Sequence, residues 1–364
     1  MIRPLRLCFR VFGMEQVREG FAWATESGSI DMNWPVEEIQ TSLGIRHPIV
    51  QAPMGGATSP DLTAAISNEG GFGMVAGISM NALRLREVIR EVKERTARPF
   101  GVNVVFKDEV EPLVHIALEE QVKALSFFWG YPKDFVRRVQ DQGCRVMHTV
   151  SSVEEAKRSV ELGVDILVAQ GVEAGGHVPG SVSTMVLVPA IVDAVSPVPV
   201  IAAGGIAGGR SIAAALALGA SGCWIGTRFL GAAEASIHTV YREHLYAASE
   251  TSTVYSQVFN KGWECPHRTL LNSTLEAWEA AGRPEPGERP GEADQIVKRP
   301  DGSLIERYTS ATPHRDFTGE IEALPMWAGQ GVHAVQRTQP AAEIFRQLVI
   351  ETEECFNRLG GLHD

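Results

Sequence analysis

The chain has 364 residues, of which 44% are hydrophobic, enough to bury a large core in one or two α/β domains. Its 33 basic and 44 acidic side chains give a net charge of −11, so electrostatics gives no reason to expect nucleic acid or an anionic membrane as a partner. The sequence has no apolar run of the ~18 residues that a membrane span requires. Five cysteines without a C-x-x-C pair favour a reducing, cytoplasmic location over a disulfide framework or a zinc site.

The first 31 residues differ in character from the rest of the chain. They begin with the basic and apolar stretch MIRPLRLCFRVFG. A cleaved targeting segment is one interpretation, but Glu15, Glu19 and Glu26 are not typical of a transit peptide. We therefore predict an N-terminal extension over residues 1–31, ahead of the folded domain.

Eight short apolar segments alternate with helical segments in the next part of the chain. Each is bounded by turn residues and has the length of a buried strand. The predicted strands are 47–54, 71–77, 100–106, 123–129, 145–150, 165–171, 199–205 and 222–230. Eight alternating units predict an α/β fold, a (β/α)8 TIM barrel over residues 32–249, with an open doubly wound sheet as the alternative.

One helix between these strands has a clear start signal. In SVEEAKRSVELG (152–163), the Ser152 hydroxyl is placed to cap the first turn, and Glu155 three residues later completes a capping box. This pattern predicts a helix that begins directly after Ser152.

The pattern changes beyond the eighth strand. Residues 231–249 look helical, whereas residues 250–325 combine one helical piece with sequence rich in proline, glycine and charge. That composition predicts a C-terminal insertion or lid beside the barrel, partly mobile. Residues 326–364 are expected to return to the barrel, with a helix at 340–359.

Two glycine-rich turns follow the seventh and eighth predicted strands, AAGGIAGGR (202–210) and IGTRF (225–229). In many barrels this region binds phosphate through backbone N–H groups and the positive end of a short helix. Gly204 and Gly205 allow the backbone to approach an anion, and the hydroxyl of Thr227 can donate to it. Tight turns without a ligand are the alternative, but two such turns at these neighbouring strands favour a phosphate-bearing ligand.

A single histidine, His177, follows the sixth predicted strand in a glycine-rich loop. Imidazole titrates near neutral pH, so it can accept a proton from a carbon acid and then lie as a cation beside the resulting anion. A structural histidine bonded to a backbone carbonyl is the alternative. Glu173 lies four residues earlier, but in a loop rather than on a helix face, so metal ligation is a minor alternative. The sequence has no convincing metal cluster, and the one lysine in a predicted strand, Lys123, lies at that strand's leading end, so a bound organic cofactor best explains the reactivity.

Several motifs together indicate a family. QAPMGG (51–56), GGFGMVAG (70–77), PFGVNV (99–104), SFFWG (126–130), AQGVEAGGH (169–177), AAGGI (202–206) and GTRF (226–229) occur in the order seen in FMN-dependent nitronate monooxygenases, formerly called 2-nitropropane dioxygenases. The chain resembles this family over about residues 40–235, and more weakly through 265–272 and 326–332. Any one motif is a weak signal, but seven in register are a specific one.

The resemblance implies FMN as the cofactor and His177 as the catalytic histidine. It implies flavin-binding roles at Ala52, Pro53, Met54, Asn103, Gln170, Gly175, Gly205, Trp224, Ile225, Gly226, Thr227 and Gln330. Ala52, Pro53 and Met54 would line the flavin, and Asn103 and Gln170 would form hydrogen bonds to its ring. Gln330 would close the pocket, and the remaining residues would hold the ribityl and phosphate groups. The family commonly reads G-H-R-G where this chain has G-H-V-P-G (176–180), which removes a cation and stiffens the loop.

The activity implied by the resemblance is the oxidation of an alkyl nitronate, such as propionate 3-nitronate, or of a nitroalkane with O2, giving a carbonyl product and nitrite, with His177 as the base. The alternative within the superfamily is an FMN-dependent enoyl-acyl-carrier-protein reductase or another NAD(P)H-dependent FMN reductase. A non-redox phosphate-binding barrel is the alternative from another class. A homodimer is the default expectation for such an enzyme.

Overall fold

A computed structural model gives the fold of residues 34, 36–107 and 109–360, so the predicted extension over residues 1–31 lies outside the described residues. The strands are β1 (Ile49–Gln51), β2 (Gly73–Ala76), β3 (Phe100–Val105), β4 (Ala124–Phe128), β5 (Arg145–Val150), β6 (Ile166–Gln170), β7 (Gly176–His177), β8 (Val200–Ala203), β9 (Gly222–Ile225), β10 (Thr253–Ser256), β11 (His267–Leu270), β12 (Gln295–Lys298), β13 (Leu304–Glu306) and β14 (Thr318–Gly319). The helices are α1 (Glu37–Leu43), α2 (Pro60–Asn68), α3 (Ala82–Arg95), α4 (Glu111–Glu119), α5 (Val136–Gln140), α6 (Val153–Glu161), α7 (Thr184–Val195), α8 (Gly209–Ala217), α9 (Thr227–Leu230), α10 (Thr239–Ala247), α11 (Ser273–Ala280) and α12 (Ala341–Gly360).

Eight parallel strands form the barrel, in the order β1-β9-β8-β6-β5-β4-β3-β2. The ring is completed where β1 meets the residue before β2: Gln51 N–H donates to the carbonyl of Phe72 at 2.9 Å, and Phe72 N–H donates to Ile49 at 3.0 Å. Each strand lies within one of the predicted ranges. The (β/α)8 prediction is therefore confirmed, and the open-sheet alternative is wrong.

The barrel interior is filled by apolar side chains of the strands. Val50, Met74, Met147, Val168 and Ile201 form one buried cluster there, together with Ile39 and Leu43 of α1. Because α1 immediately precedes β1, it covers the N-terminal end of the barrel. The opposite end, where the carboxyl ends of the strands lie, is left for a ligand.

Helix α6 begins as predicted, but its capping box is incomplete. The Ser152 hydroxyl accepts a hydrogen bond from the N–H of Glu155 at 3.2 Å. The Glu155 carboxylate, however, accepts from the N–H and hydroxyl of Ser151, at 2.6 and 2.8 Å, rather than from the N–H of Ser152. The carboxylate therefore ties the end of β5 to the helix that follows it.

The predicted helix over 231–249 is only half present. Residues 231–238 form turns, in which the N–H of Ala233 donates to the carbonyl of Gln339 at 2.8 Å. The helix α10 starts at Thr239, after the His238 ring has accepted the N–H of Val240 at 3.1 Å. Residues 231–238 therefore bond to the C-terminal segment and do not form part of a helix.

The segment that follows α10 folds into two small sheets. One has the order β10-β11-β7 and so includes two residues that follow the barrel strand β6; the other has the order β13-β12-β14. The second sheet has its own apolar cluster, built from Ile296, Val297, Ile305, Ile321 and Leu324. These two sheets form a lid with its own small core beside the barrel cavity. The partial mobility of residues 250–325 and the predicted domain boundaries stay predictions.

The predicted helix at 340–359 is present as α12, which packs against α8. A Cβ atom built on Gly209 would lie 2.3 Å from the Cβ of Glu351, so the two helices touch at a glycine. The N–H of Gly209 also donates to the Glu351 carboxylate at 2.8 Å. Among the described residues, no helix is both long enough and apolar enough to cross a bilayer.

This contact gives a test of the helix packing. Gly209→Ala should lower the free energy of unfolding by about 1–3 kcal/mol in urea titrations, because the new methyl group collides with the α12 backbone. The matched control is Gly360→Ala at the end of α12, where a Cβ meets no atom within 4 Å, and it should change stability by less than about 0.5 kcal/mol. Equal stabilities of the two variants would contradict the close approach of α8 and α12.

Candidate active site

A cavity of about 640 Å³ lies at the carboxyl ends of the barrel strands, beneath the lid. Its volume is in the range of roughly 300–1,000 Å³ that holds ligands of cofactor size. Of the predicted site residues, those that line it are Ala52, Pro53, Met54, Asn103, Gln170, Gly175, His177, Gly205, Trp224, Gly226 and Thr227. The fold thus brings together residues from six different strands or the turns that follow them.

Two predicted site residues do not line the cavity. Ile225 is completely buried, and because side chains alternate along a strand it faces away from Trp224, which does line the cavity. Gln330 is exposed, and its backbone N–H donates to the carbonyl of Glu173 at 3.0 Å. Its neighbours Gly329 and Gly331 line the cavity instead.

One end of the cavity presents unpaired backbone N–H groups. Those of Gly204, Gly205 and Ile206 after β8, and of Gly226 and Thr227 after β9, donate no hydrogen bond to any residue of the described chain. Gly204 and Gly205 have φ angles of +108° and +67°, in the left-handed region that favours glycine. Several amides turned toward one concave surface form an anion-binding site. This end of the cavity fits a phosphate group.

The two helices that follow the glycine turns differ at their first turns. In α8 the N–H groups of Ala207 and Gly208 both donate to the Ser211 hydroxyl at 3.1 Å. The Glu351 carboxylate from α12 accepts the N–H of Gly209. The unpaired N–H groups therefore lie in the turn after β8 and at the start of the short helix α9, whose N-cap is Gly226, and not at the start of α8.

The cavity also carries two side-chain amides. Gln170 donates its Nε2 to the carbonyl of His177 at 3.2 Å, while its buried Oε1 accepts no hydrogen bond from any described residue. Asn103 donates its Nδ2 to the carbonyl of Ser126 at 3.2 Å. A buried acceptor without a donor costs about 1–3 kcal/mol, which a ligand N–H would recover. The unpaired backbone N–H groups and the vacant amide oxygen in the same cavity fit the phosphate and ring of a flavin mononucleotide.

His177 is fixed by a strand pairing that the sequence did not reveal. It lies in β7, opposite His267 of β11, and not in the free loop that was predicted. Its Nε2 lies 3.1 Å from the hydroxyl of Ser310, so either group can donate. The next residue, Val178, is completely buried, and its N–H donates to the carbonyl of Pro266 at 2.8 Å.

The surroundings keep His177 neutral. Burial lowers its pKa from the usual 6.5 to about 3, and the nearby charges of His267 and Lys107 act in the same direction. Burial likewise lowers the pKa of His267 to about 4. A neutral imidazole has a lone pair that can accept a proton, so His177 is in the state that a general base requires.

Aromatic rings of the lid enclose His177. The indole of Trp263 stacks on the imidazole with 3.8 Å between ring centroids and 23° between planes, and Trp327 lies at 5.1 Å. Sequence analysis did not identify Ser310, Trp263 or Trp327. The weak family motif at 326–332 contains Trp327, and the one at 265–272 begins two residues after Trp263; these two motifs were the available signal.

Three further residues near the carboxyl ends of the strands have separate positions. Glu173 accepts the N–H of Thr184, from 3.0 and 2.9 Å, and its hydroxyl at 2.9 Å, so it caps α7 instead of joining His177. Phe127 is buried between other phenylalanines, whereas Phe128 lines the cavity. The described residues contain no group of three His, Cys, Asp or Glu side chains placed to hold a metal ion.

Known proteins are similar to this chain over most of its length. The family model described as nitronate monooxygenase matches residues 37–113 and 109–351. A nitronate monooxygenase of Pseudomonas aeruginosa is 34% identical over 85% of this chain and 97% of its own length. Among solved structures, FabK from Thermotoga maritima has a TM-score of 0.77 and 31% identity, over 89% of this chain and 98% of its own. A nitroalkane oxidase from Streptomyces ansochromogenes has a TM-score of 0.75 and 26% identity, over 88% of this chain and 100% of its own.

The family model covers most of the described chain, including every strand of the barrel and the lid. The Pseudomonas relative exceeds 30% identity over nearly the same length. The chain belongs to the nitronate monooxygenase family, and it is an oxidoreductase.

Proposed function

We propose that this protein binds FMN and oxidises alkyl nitronates, such as propionate 3-nitronate, with O2, giving a carbonyl product and nitrite, with His177 as the catalytic base. The main support for the proposal is that one cavity contains both five unpaired backbone N–H groups and a neutral histidine. The similarity to a nitronate monooxygenase and to a nitroalkane oxidase supports the reaction class.

The cavity residues that would hold the cofactor divide by chemistry. The amides after β8 and β9 would bind its phosphate, and the vacant oxygen of Gln170 would accept an N–H of its ring. When bound, FMN supplies a redox centre that accepts electrons from the substrate and returns them to O2. The protein itself would bind the cofactor and the substrate, orient them, and accept the substrate proton.

His177 is placed to manage that proton. As a neutral imidazole it accepts a proton from the α-carbon of a nitroalkane, which leaves the anionic nitronate beside an imidazolium. The opposite charges then favour the protonated ring, so the pKa of His177 rises once the anion has formed. Ser310, at 3.1 Å from Nε2, fixes the ring plane, and the indoles of Trp263 and Trp327 exclude water from its face.

A reductase is the second candidate, because the chain is as similar in structure to FabK as to the nitroalkane oxidase. An anaerobic absorbance titration of the purified holoprotein separates the two. Bleaching of a flavin spectrum by propionate 3-nitronate supports the proposal, whereas rapid bleaching by NADH or NADPH alone supports a reductase. A colourless protein that FMN cannot reconstitute would leave only a non-redox barrel.

The phosphate site can be tested at Gly226. Its φ of −104° is open to any residue, and a Cβ there would lie no closer than 3.4 Å to its neighbours, so Gly226→Val should fold. The added methyl groups enter the cavity beside the unpaired amides, and losing one charge-assisted bond weakens FMN binding about tenfold or more. Quenching of FMN fluorescence measures this Kd.

Ile225→Val on the same strand is the matched control. Its side chain does not line the cavity, so the FMN affinity should stay within about twofold while stability falls by roughly 0.5–1.5 kcal/mol. FMN binding that is equally weak in both variants, or unchanged in Gly226→Val, would remove the glycine turns from the cofactor site.

The base can be tested with His177→Asn. Removing a general base should lower kcat for nitrite release from 2-nitropropane by about 10²–10⁴-fold, while FMN content, read from the absorbance spectrum, stays at the wild-type level. His115→Ala, an exposed site on α4, should leave both quantities unchanged. Normal nitrite release by His177→Asn would exclude His177 as the base.

The low pKa of His177 predicts an unusual pH profile. A histidine with a folded-state pKa of about 3 stays neutral at every pH above about 4, so kcat/KM should show no protonation step near 6.5. Initial rates of nitrite release from 2-nitropropane, added in its neutral form between pH 5 and 9 with circular dichroism as a control for unfolding, measure the profile. An acid limb with an apparent pKa of 6–7 that is absent from His177→Asn would show that the imidazole is more hydrated than the structure indicates.

A further inference from the structure

A second pocket lies on the outer side of the active-site cavity. It has a volume of about 470 Å³ and is lined by Phe106, Lys107, Trp129, Asn260, Gly262, Trp263 and Glu264. Only Lys107, Gly262 and Trp263 line both this outer pocket and the cavity that contains His177. Trp263 is the one large ring among the three, and it is 8% exposed.

The ring of Trp263 is held on several sides. One face stacks on His177, and its edges contact Phe128 and Trp129, with centroid distances of 5.9 and 5.6 Å and interplanar angles of 69° and 90°. Val105 and Cys265 complete the buried cluster around it. The ring therefore stands as a packed wall between the cavity and the outer pocket.

The backbone around this wall is also held in place. The N–H of Lys261 donates to the carbonyl of Tyr308 at 3.1 Å, and the N–H of Ser310 returns a bond to the carbonyl of Lys261 at 2.9 Å. These two bonds attach the loop before Trp263 to the segment that carries the Ser310 hydroxyl beside His177. The wall and the candidate base are thus parts of one rigid unit.

We propose that Trp263 determines substrate length, because its indole ends the active-site cavity where the outer pocket would otherwise continue it. The nature of the substrate, a straight-chain nitronate, rests on the proposed function. With the ring present, the alkyl chain must fit on the His177 side of the wall. Without it, the two pockets join, and a longer chain can pass beside His177 into the outer pocket, where the rings of Phe106 and Trp129 offer apolar contact.

The probes for this proposal are straight-chain carboxylates from propanoate to decanoate. A carboxylate has the planar, two-oxygen anionic group of a nitronate but is not oxidised, so isothermal titration calorimetry with the FMN-loaded protein measures binding alone. Each methylene removed from water strengthens binding roughly fourfold. In Trp263→Ala the ratio of octanoate to propanoate affinity should therefore rise by about tenfold or more over the wild-type ratio, equivalent to two further buried methylenes.

Two controls isolate the wall. Trp263→Phe keeps a ring in place, and because the indole N–H donates to no described residue, it removes no hydrogen bond; its affinity ratio should stay within about threefold of wild type. Trp129→Ala enlarges the outer pocket without joining it to the cavity, and its ratio should not change. Should Trp263→Ala prove unstable, Trp263→Leu provides a smaller opening with retained apolar packing.

The kinetic counterpart is the ratio of kcat/KM for the nitronates of 1-nitrohexane and nitroethane. Loss of the ring that stacks on His177 is expected to lower both values, so the ratio and not the rate is the readout, and it should favour the long substrate in Trp263→Ala. An unchanged affinity ratio in Trp263→Ala, or an equal rise in Trp129→Ala, would overturn the proposal. A wild-type protein that releases no nitrite, combined with the expected shift in carboxylate binding, would refute the proposed function and leave the role of the wall standing.

Discussion

The position of His177 depends on one short backbone contact, the pairing of β7 with β11. Gly176 lies opposite Arg268, and His177 lies opposite His267, so a loop that leaves the barrel becomes the edge of a sheet that belongs to the lid. The guanidinium of Arg268 strengthens the junction by donating to the carbonyl of Val172 at 3.0 Å. Because these partners are about 90 residues apart in the chain, His177 reaches its place only when barrel and lid have both folded.

The barrel could be predicted from the sequence because its signals are local. A strand covered on both faces is a short apolar run between turn residues, as in β6, which occupies 166–170 of the predicted 165–171. The lid gives no such signal. Its strands have two to four residues, and β12 has only two buried positions among exposed ones. Its sheets form through contacts distant in sequence, which the proline- and glycine-rich composition conceals.

The candidate site shows the same division. Turn residues such as Gly204 and Gly205 could be identified because their backbone angles require glycine, and a required residue type leaves a mark in the sequence. Motif resemblance included Ile225 in a predicted site segment, but it did not resolve which face of the strand meets the cavity. Ser310 and Trp263 could not be identified from the sequence, because their only distinguishing feature is the contact with His177 that the fold creates.

Val178, the residue after His177, packs where the lid meets the cavity. Val178 is completely buried against the lid, so the arginine common in the family at this position would place a guanidinium in apolar space, which costs several kcal/mol unless it is paired. Lys107, which follows β3, lines the cavity, and its positive charge adds to burial in lowering the pKa of His177. Lys107 also borders the outer pocket, together with Trp263. For the proposed anionic substrate, this lysine would supply an attracting charge beside the ring that is proposed to limit chain length.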